Sequence, residues 1–341
     1  MFKLSIVLPT YNRKRQLERV IRQLEQQSFD HASFEVIVVS DGSTDGTNEW
    51  LESYQTDLNL RVIFQRNQGV AATRNNGLNE AQAPLVLFID DDVVPHQDWL
   101  KMHYETHAAE GFAEHIIVIG PMYNPPDHNF QPWVRWEQAM LYKQYQAMDR
   151  GDWAPTARQF YTGNCSVHVS YIKQFGGFDP TFKRAEDVEL AFRMADHGAK
   201  FIYNNRAIGY HYAQRSFQSW LNIPYAYGRN DVIFTQQRGQ VWLVPKIMSE
   251  YKSRHPLIRL LNRMCLDRGS ISSLVQNAVG TLSKLLYQLG LEMPASAGYS
   301  LIFNLRHYQG MSDELGGRKR FFALATSDEK PEFKTASHLN Y

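Results

Sequence analysis

The sequence predicts an α/β fold with a mostly parallel central sheet, followed by a mainly helical C-terminal region. Over the first third of the chain, short apolar runs alternate with segments of helical periodicity. This alternation is typical of parallel strands joined by right-handed helical crossovers. From about residue 216 onward, helical patterns predominate. One apolar run ends in three consecutive aspartates, at the sheet edge where such folds bind ligands.

The predicted elements of the first third follow one another regularly. Apolar runs that predict buried strands lie at residues 4–8, 35–39, 61–64 and 85–89. Helices are predicted after each of the first three strands, around 17–24, through Trp50 and Leu51, and at 69–81. The 69–81 helix is rich in small residues, which allow close packing on a sheet.

Beyond the third aspartate the pattern is less regular. Residues 116–119, 160–169, 200–203 and 208–212 are predicted as extended segments, and 186–196 as a helix. The stretch 123–153 is rich in Pro, Trp, Tyr and Gln, without strand alternation. The predicted domains are 1–215, with halves at about 1–120 and 121–215, a helical extension at 216–326, and a flexible polar tail at 327–341.

Composition excludes several classes of protein. Lys plus Arg number 36 and Asp plus Glu 35, so no overall charge favours nucleic acid as a partner. The two cysteines, Cys165 and Cys265, are far apart, which argues against a disulfide scaffold and predicts buried thiols. Residues 4–8 are too short for a signal peptide, and no apolar run reaches membrane-spanning length. We expect a cytoplasmic protein, with docking on the inner face of a membrane left open.

Asp90, Asp91 and Asp92 form the strongest chemical signal. Three adjacent carboxylates repel each other unless a cation joins them, and a divalent metal carrying a phosphorylated substrate is the simplest such cation. The alternative is a helix N-cap with acidic neighbours, which needs only one aspartate.

Two further segments follow neighbouring strands. Asp41 ends the second strand, where its carboxylate can either accept a nucleobase N–H or form an Asx-turn. Arg66 and Arg74 flank the start of the helix after the third strand. They can meet phosphate in the crevice or remain surface arginines of a tight helix–sheet contact.

The second half carries two weaker signals. Glu186 and Asp187 head a helix, where acids ordinarily offset the helix dipole, but one of them can also act as a general base. His211, between Tyr210 and Tyr212, is either a packed histidine or a ligand of a metal that carboxylates and phosphate also hold.

In combination and in this order, these segments resemble glycosyltransferase family 2, the large inverting family with the GT-A fold. The resemblance covers about the first 215 residues. It is carried by Pro9-Thr10-Tyr11-Asn12-Arg13, 38–45, Asn67-Gln68-Gly69 with Arg74-Asn75, 88–92, Gly176-Gly177-Phe178-Asp179 and 186–190.

The resemblance implies a Rossmann-like nucleotide-binding sheet joined to an acceptor-binding half. It implies transfer of a sugar from a nucleotide-diphosphate donor, usually a UDP-sugar, to an acceptor hydroxyl on a glycan or lipid-linked glycan. Mn²⁺ or Mg²⁺ is the implied cofactor. The alternatives are a non-catalytic nucleotide-sugar-binding module and a sugar nucleotidyltransferase, although the latter is expected to carry a glycine-rich basic loop after the first strand.

The resemblance also assigns roles to single residues. Asp187 matches the catalytic base, with Glu186 beside it as a supporting or acceptor-site residue. Asp92 matches a metal ligand, and His211 stands where many members place a histidine ligand. The implied nucleotide-binding residues are Pro9, Thr10 and Tyr11 against the base, Asp41 bonded to the base, Asp90 facing the ribose, and Arg66, Asn67, Arg74 and Asp91.

One segment lies beyond the resemblance. Between Tyr251 and Arg268, five basic residues interleave with apolar ones, which predicts a basic amphipathic helix. Such a helix can lie on an anionic membrane surface, or it can pack on the catalytic domain with a solvated basic face.

Overall fold

A computed structural model describes residues 1–326, and the predicted tail at 327–341 lies outside the described residues. The chain forms two compact units. The first comprises residues 1–129 and 138–213, and the second comprises residues 130–137 and 214–326. Residues 130–137, which are predicted from the sequence to belong to the first domain, fall in the second unit.

The first unit contains a seven-stranded sheet and a three-stranded sheet. The strands are β1 (Leu4–Thr10), β2 (Phe34–Asp41), β3 (Leu60–Gln65), β4 (Leu85–Ile89), β5 (Val93–Pro95), β6 (Ile116–Ile119), β7 (Met122–Tyr123), β8 (Asn164–His168), β9 (Lys200–Tyr203) and β10 (Gly209–His211). The large sheet has the order β3-β2-β1-β4-β8-β6-β9, with β8 antiparallel to both neighbours and the other pairs parallel. The small sheet has the order β5-β10-β7.

Helices flank the sheet and make up the described part of the chain after β10. They are α1 (Lys14–Leu24), α2 (Thr47–Ser53), α3 (Val70–Glu80), α4 (Trp99–Ala109), α5 (Pro132–Asp149), α6 (Val169–Gln174), α7 (Glu186–Ala195), α8 (Phe217–Gln237), α9 (Leu243–Ser253), α10 (Pro256–Cys265), α11 (Gly269–Gln288), α12 (Glu292–Glu314) and α13 (Arg318–Thr326). Short 3₁₀ turns occur at His31–Ser33 and Ala157–Gln159. The predicted fold class, a parallel-rich α/β sheet with a helical C-terminal region, is confirmed.

The centre of the sheet is fully enclosed. Every residue of β1, β2 and β4 is buried, as expected for strands covered on both faces by helices. On the helical side, α1 buries Leu17, Val20, Ile21 and Leu24. Helix α3 lies close to β1, because a Cβ at Gly77 would stand 2.5 Å from Val7 Cγ1. This contact explains the small-residue composition of α3.

Three helices, α4, α5 and α6, were not predicted from the sequence. Helix α5 begins at Pro132, and proline is well tolerated in a first helical turn, where its missing N–H costs nothing. Helix α4 buries two histidines, His103 and His107, on its inner face, so its buried positions do not form an apolar pattern. The predicted basic helix at 251–268 is wrong as a single element, because α9 ends at Ser253 and α10 starts at Pro256.

A buried polar cluster joins α4 to β8. His103 Nδ1 lies 2.8 Å and His107 Nε2 2.9 Å from Ser166 Oγ, and Trp99 Nε1 donates to Asn164 Oδ1 at 2.7 Å. Burial lowers the pKa of His103 to about 4 and that of His107 to about 3. Both rings are therefore neutral in the folded protein at neutral pH.

We expect the folded state to lose stability in acid because of this cluster. The unfolded chain takes up a proton on each histidine below pH about 6.5, whereas the folded chain does not until its depressed pKa is reached. Each ring then costs about 1.4 kcal/mol of unfolding free energy per pH unit between these limits. His107→Gln, which can keep the bond to Ser166, should flatten the decline in urea-unfolding free energy from pH 6.5 to 5. The exposed control His115→Gln should leave the slope unchanged, and equal slopes for both variants would contradict the prediction.

Candidate active site

The carboxyl ends of β1, β2 and β4 meet at one edge of the large sheet. Because these strands are neighbours and parallel, the residues that end them are brought together. Thr10, Asp41 and Asp90 stand at these three ends. Glu186, in the first turn of α7, reaches the same edge through its contact with Arg74 on α3.

Asp41 fixes the loop that follows β3. Its Oδ1 accepts hydrogen bonds from the backbone N–H of Gln68 at 2.8 Å and from Gln65 Nε2 at 2.7 Å, and its Oδ2 accepts from Gly69 N at 2.9 Å. The carboxylate is buried, with 5% of the residue exposed. These bonds run to the end of β3 and the loop after it, and they do not form the Asx-turn that the sequence left open as an alternative. Arg66 and Asn67 lie exposed on this loop.

Asp91 is buried, with 6% of the residue exposed. Its Oδ2 accepts from Thr10 Oγ1 at 2.8 Å, and its Oδ1 accepts from Arg13 Nη1 at 3.0 Å. Burial raises the pKa of Asp91 to about 7 against the opposing pull of Arg13. Pro9 and Thr10 are likewise buried in β1, while Tyr11 is 49% exposed at the end of the strand.

Asp92 and His211 are neighbours because β10 pairs with β5, setting His211 opposite Val93. Asp92 Oδ1 lies 3.5 Å from His211 Nε2, and Asp92 Oδ2 accepts from Arg13 Nη1 at 2.7 Å. Two ligands of one Mg²⁺ or Mn²⁺, each about 2.1 Å from the ion, stand about 3.0–3.5 Å apart. The spacing of this oxygen and nitrogen therefore fits a shared cation.

The side chains around Asp92 and His211 also determine whether a cation fits between them. Gln138 Nε2 lies 3.1 Å from His211 Nδ1. A metal at Nε2 requires the proton on Nδ1, so the amide oxygen of Gln138 must then face the ring. Within residues 1–326, no three His, Cys, Asp or Glu side chains converge as a metal cage. A bound cation would therefore depend on substrate phosphate and water for its remaining ligands.

Arg74 links the aspartate edge to α7. Its Nη2 donates to Asp90 Oδ1 at 2.8 Å, and its Nη1 donates to Glu186 Oε1 at 2.5 Å. Only 4% of Arg74 is exposed, and the Phe178 ring centroid lies 5.7 Å from its guanidinium carbon. The two carboxylates raise the pKa of Arg74 despite burial, so the guanidinium stays charged. Neither a surface arginine nor a simple dipole-offsetting acid describes this buried pair.

Asp187 is the acid of α7 that has no hydrogen bond to an arginine within residues 1–326. Its Oδ1 accepts from the N–H of the next residue, Val188, at 2.8 Å. The helix begins after Ala185, whose φ of 58° is unusual for a residue with a side chain. Burial, followed by the charge of Glu186, raises the pKa of Asp187 to about 7. A carboxyl group so poised can accept a proton near neutral pH.

The Gly176-Gly177-Phe178 loop positions α7 against α3. Asn75 Oδ1 accepts from Phe178 N at 2.9 Å, and Asn75 Nδ2 donates to Phe178 O at 2.7 Å. A Cβ at Gly177, where φ is 72°, would stand 2.5 Å from Asn75 Oδ1, so glycine is required there. Arg193 of α7 donates to the carbonyl of Gly177 at 2.8 Å and pairs with Glu189. These bonds fix the position of the first turn of α7, which carries the acids, relative to α3 and the sheet.

Three residues of the site were not identified from the sequence. Arg13 contacts both Asp91 and Asp92, Gln138 contacts His211, and Asn75 holds the glycine loop. Arg13 and Asn75 lie inside segments that carried the family resemblance, which is a usable signal. Gln138 lies on a helix that was not predicted, so no spacing could have pointed to it.

The chain is similar in sequence to known proteins. The family model described as glycosyl transferase family 2 matches residues 5–174. Validoxylamine A glucosyltransferase from Streptomyces hygroscopicus subsp. limoneus is 30% identical over 235 residues, covering 60% of this chain and 51% of that protein. Glycosyltransferase AglE from Haloferax volcanii is 24% identical over 245 residues, covering 71% and 75%. The chain thus spans about half the length of the validoxylamine A glucosyltransferases that it matches.

Solved structures share the fold. The mannosyltransferase PcManGT from Pyrobaculum calidifontis, in complex with GDP-Man and Mn²⁺, aligns with a TM-score of 0.57 at 16% identity, covering 92% of this chain and 87% of that one. S. aureus TarS 1-349, in complex with UDP, aligns with a TM-score of 0.51 at 16% identity, covering 92% of each chain. Identities this low establish the fold alone.

Proposed function

Because the chain belongs to glycosyl transferase family 2, we propose that it moves a sugar from a nucleoside-diphosphate donor to an acceptor hydroxyl with inversion of the anomeric centre. The observation that carries the proposal is one cluster. A buried guanidinium, Arg74, joins the aspartate edge at Asp90 to the helix that presents Asp187. The carboxylate proposed to face the donor, Asp90, and the proposed base, Asp187, are therefore held at a fixed distance from each other. Group transfer between two bound molecules requires such fixed positions.

For the donor we propose a UDP-sugar. Asp41 uses three of roughly four acceptor positions on its carboxylate, which leaves one for the N–H of a uracil ring. We expect Tyr11, which is exposed at the end of β1, to cover the base. The relative TarS is named as a complex with UDP and with UDP-GlcNAc, which supports the same choice.

For the metal we propose Mn²⁺ or Mg²⁺ held by Asp92 and His211, whose facing atoms have a compatible spacing. When bound, such an ion neutralises charge on the diphosphate leaving group. Arg13 contacts Asp91 and Asp92 with one nitrogen and is 43% exposed, so it can also turn toward phosphate.

For the transfer step we propose Asp187 as the general base. A single displacement needs one proton acceptor on the face opposite the leaving group. Glu186 is already paired with Arg74 at 2.5 Å, whereas Asp187 is the acid whose pKa is raised to about 7. Asp90 and Glu186 then position the site through Arg74. The acceptor is a glycan or lipid-linked glycan hydroxyl.

The proposal is tested by incubating the protein with a panel of nucleotide-sugars, Mn²⁺ and crude glycan or lipid extracts. We expect release of free nucleoside diphosphate that depends on both metal and extract. Release of pyrophosphate from a sugar phosphate and a nucleoside triphosphate would instead identify a nucleotidyltransferase. Binding of donors without release in any extract would identify a binding module.

We expect UDP binding to depend on the metal and on Asp92. Asp92→Ala removes a proposed ligand, and loss of metal-site residues costs about tenfold or more in affinity. Isothermal titration with UDP in Mn²⁺ and in EDTA measures the effect in both proteins. The exposed control Asp57→Ala should bind like the parent protein. Equal affinity in Mn²⁺ and EDTA would rule out the metal-dependent site.

A further inference from the structure

Helix α11 in the second unit buries its polar face and exposes its apolar face. The side chains that it buries are small or polar: Ser272, Gln276, Gly280 and Ser283. Its large apolar side chains are exposed instead: Ile271 at 40%, Leu274 at 69%, Leu282 at 54% and Leu285 at 51%, followed by Leu289 at 66%. Soluble helices normally bury such a stripe and expose the polar one.

The buried polar side chains of α11 make hydrogen bonds and pack tightly against α12. Gln276 Nε2 donates to Ser272 Oγ at 2.7 Å, and Ser272 Oγ donates to Gln309 Oε1 of α12 at 3.3 Å. A Cβ at Gly298 of α12 would stand 2.0 Å from Ser283 Oγ, so the two helices approach closely. This packing fixes the rotation of α11, and the leucines cannot turn inward without breaking it.

The exposed apolar side chains lie on one side of the helix. At 100° per residue, the positions 271, 274, 282, 285 and 289 fall within an arc of about 80°. We call these five residues the leucine face. Helix α10 adds a second exposed apolar stripe, formed by Leu257, Leu260 and Met264. Apolar surface of this extent on a globular protein marks an interaction site.

The charge around the leucine face selects its partner. Residues 254–291 contain five Arg or Lys and one acid, Asp267. The Asp267 carboxylate accepts hydrogen bonds from Ser312 Oγ and from the backbone N–H of Arg318. A second copy of the same face would bring like charges together, whereas an anionic bilayer is complementary to it.

We propose that the leucine face docks on the surface of a membrane containing anionic lipids. The leucines enter the boundary between headgroups and acyl chains, while Arg259, Arg263 and Arg268 contact the phosphates. No helix within residues 1–326 is long and apolar enough to cross a bilayer. The interaction is thus at the surface, and it does not depend on the proposed sugar transfer.

Vesicle flotation tests this docking with the full chain. We expect the protein to float with phosphatidylglycerol vesicles at low salt, and to bind pure phosphatidylcholine vesicles at least tenfold more weakly. The double variant Leu274→Glu/Leu285→Glu should lose binding at least tenfold. Its control, Ser273→Glu/Asn277→Glu, adds the same charge on the other side of the same helix and should lose less than threefold.

Three results would overturn the proposal. They are absence of binding to phosphatidylglycerol vesicles, equal losses in the two double variants, and a dimer in sedimentation that only Leu274→Glu/Leu285→Glu dissociates. The last result would make the leucine face a contact between copies of the chain. Circular dichroism of both variants should match the parent spectrum, since all four positions are exposed.

Discussion

Asp187→Asn is expected to lower the rate of sugar transfer by about 10²- to 10⁴-fold while leaving UDP binding unchanged. The substitution keeps the shape of the side chain and its ability to accept from Val188 N. It removes only the capacity to take a proton from the acceptor hydroxyl. Turnover of a UDP-sugar and calorimetry of UDP, measured on the same preparation, separate the two effects.

The pH profile gives an independent readout of the same group. Because the pKa of Asp187 is raised to about 7, the carboxyl is protonated below neutrality, and the transfer rate should rise with pH through this region. Asp187→Asn should lack this limb. The control Asp196→Asn, an exposed aspartate just after the same helix, should keep both rate and profile. Undiminished transfer by Asp187→Asn would move the base elsewhere, and Glu186→Gln would be tested next.

Arg74→Met is expected to lower the free energy of unfolding by about 3–5 kcal/mol. The buried guanidinium is the cation that compensates Glu186, and a buried carboxylate left alone is strongly destabilising. Urea titration at pH 8 measures the loss. The control Arg22→Met breaks an exposed pair with Glu18 and should cost less than about 1 kcal/mol.

A second substitution distinguishes loss of charge compensation from loss of packing. The double variant Arg74→Met/Glu186→Gln has a neutral side chain at position 186, so no unpaired charge is left there. Its free energy of unfolding should therefore regain a substantial part of the loss seen in Arg74→Met. If the double variant is as unstable as Arg74→Met, the guanidinium acts by filling space and the ion pair adds nothing.

Much of the first unit was predictable because its strands are continuous apolar runs. Residues 85–89 and 116–119 match the buried strands β4 and β6, as expected for short apolar runs rich in β-branched residues. Residues 200–203 also match a strand, β9, although it is only partly buried and begins at the exposed Lys200. The neighbourhood of Asp41 and Asp90 also followed, because adjacent parallel strands end at one edge. The roles assigned to these residues stay predictions.

Other contacts had no sequence signal. The contact between Gln138 and His211 joins positions 73 apart. Gln138 lies on α5, whose many aromatic and glutamine residues obscure the helical periodicity in the sequence. The pairing of Glu186 with Arg74, rather than with solvent, depends on the path of the glycine loop. For α11, periodicity predicts a helix but not its rotation, because Ser and Gly can line an inner face when a neighbouring helix approaches closely.

The ion pair between Arg74 and Glu186 joins positions 112 apart, so it forms only in a chain that extends through α7. The pairing of β1 with β4 sets Leu4 opposite Leu85, and the Arg74–Glu186 pair needs the chain through α7 as well. The region matched by the family model ends at residue 174, before Glu186. A recombinant fragment cut there would keep Asp90 but leave Arg74 without its second carboxylate. Expression boundaries for the first unit therefore belong beyond β10, which also retains His211.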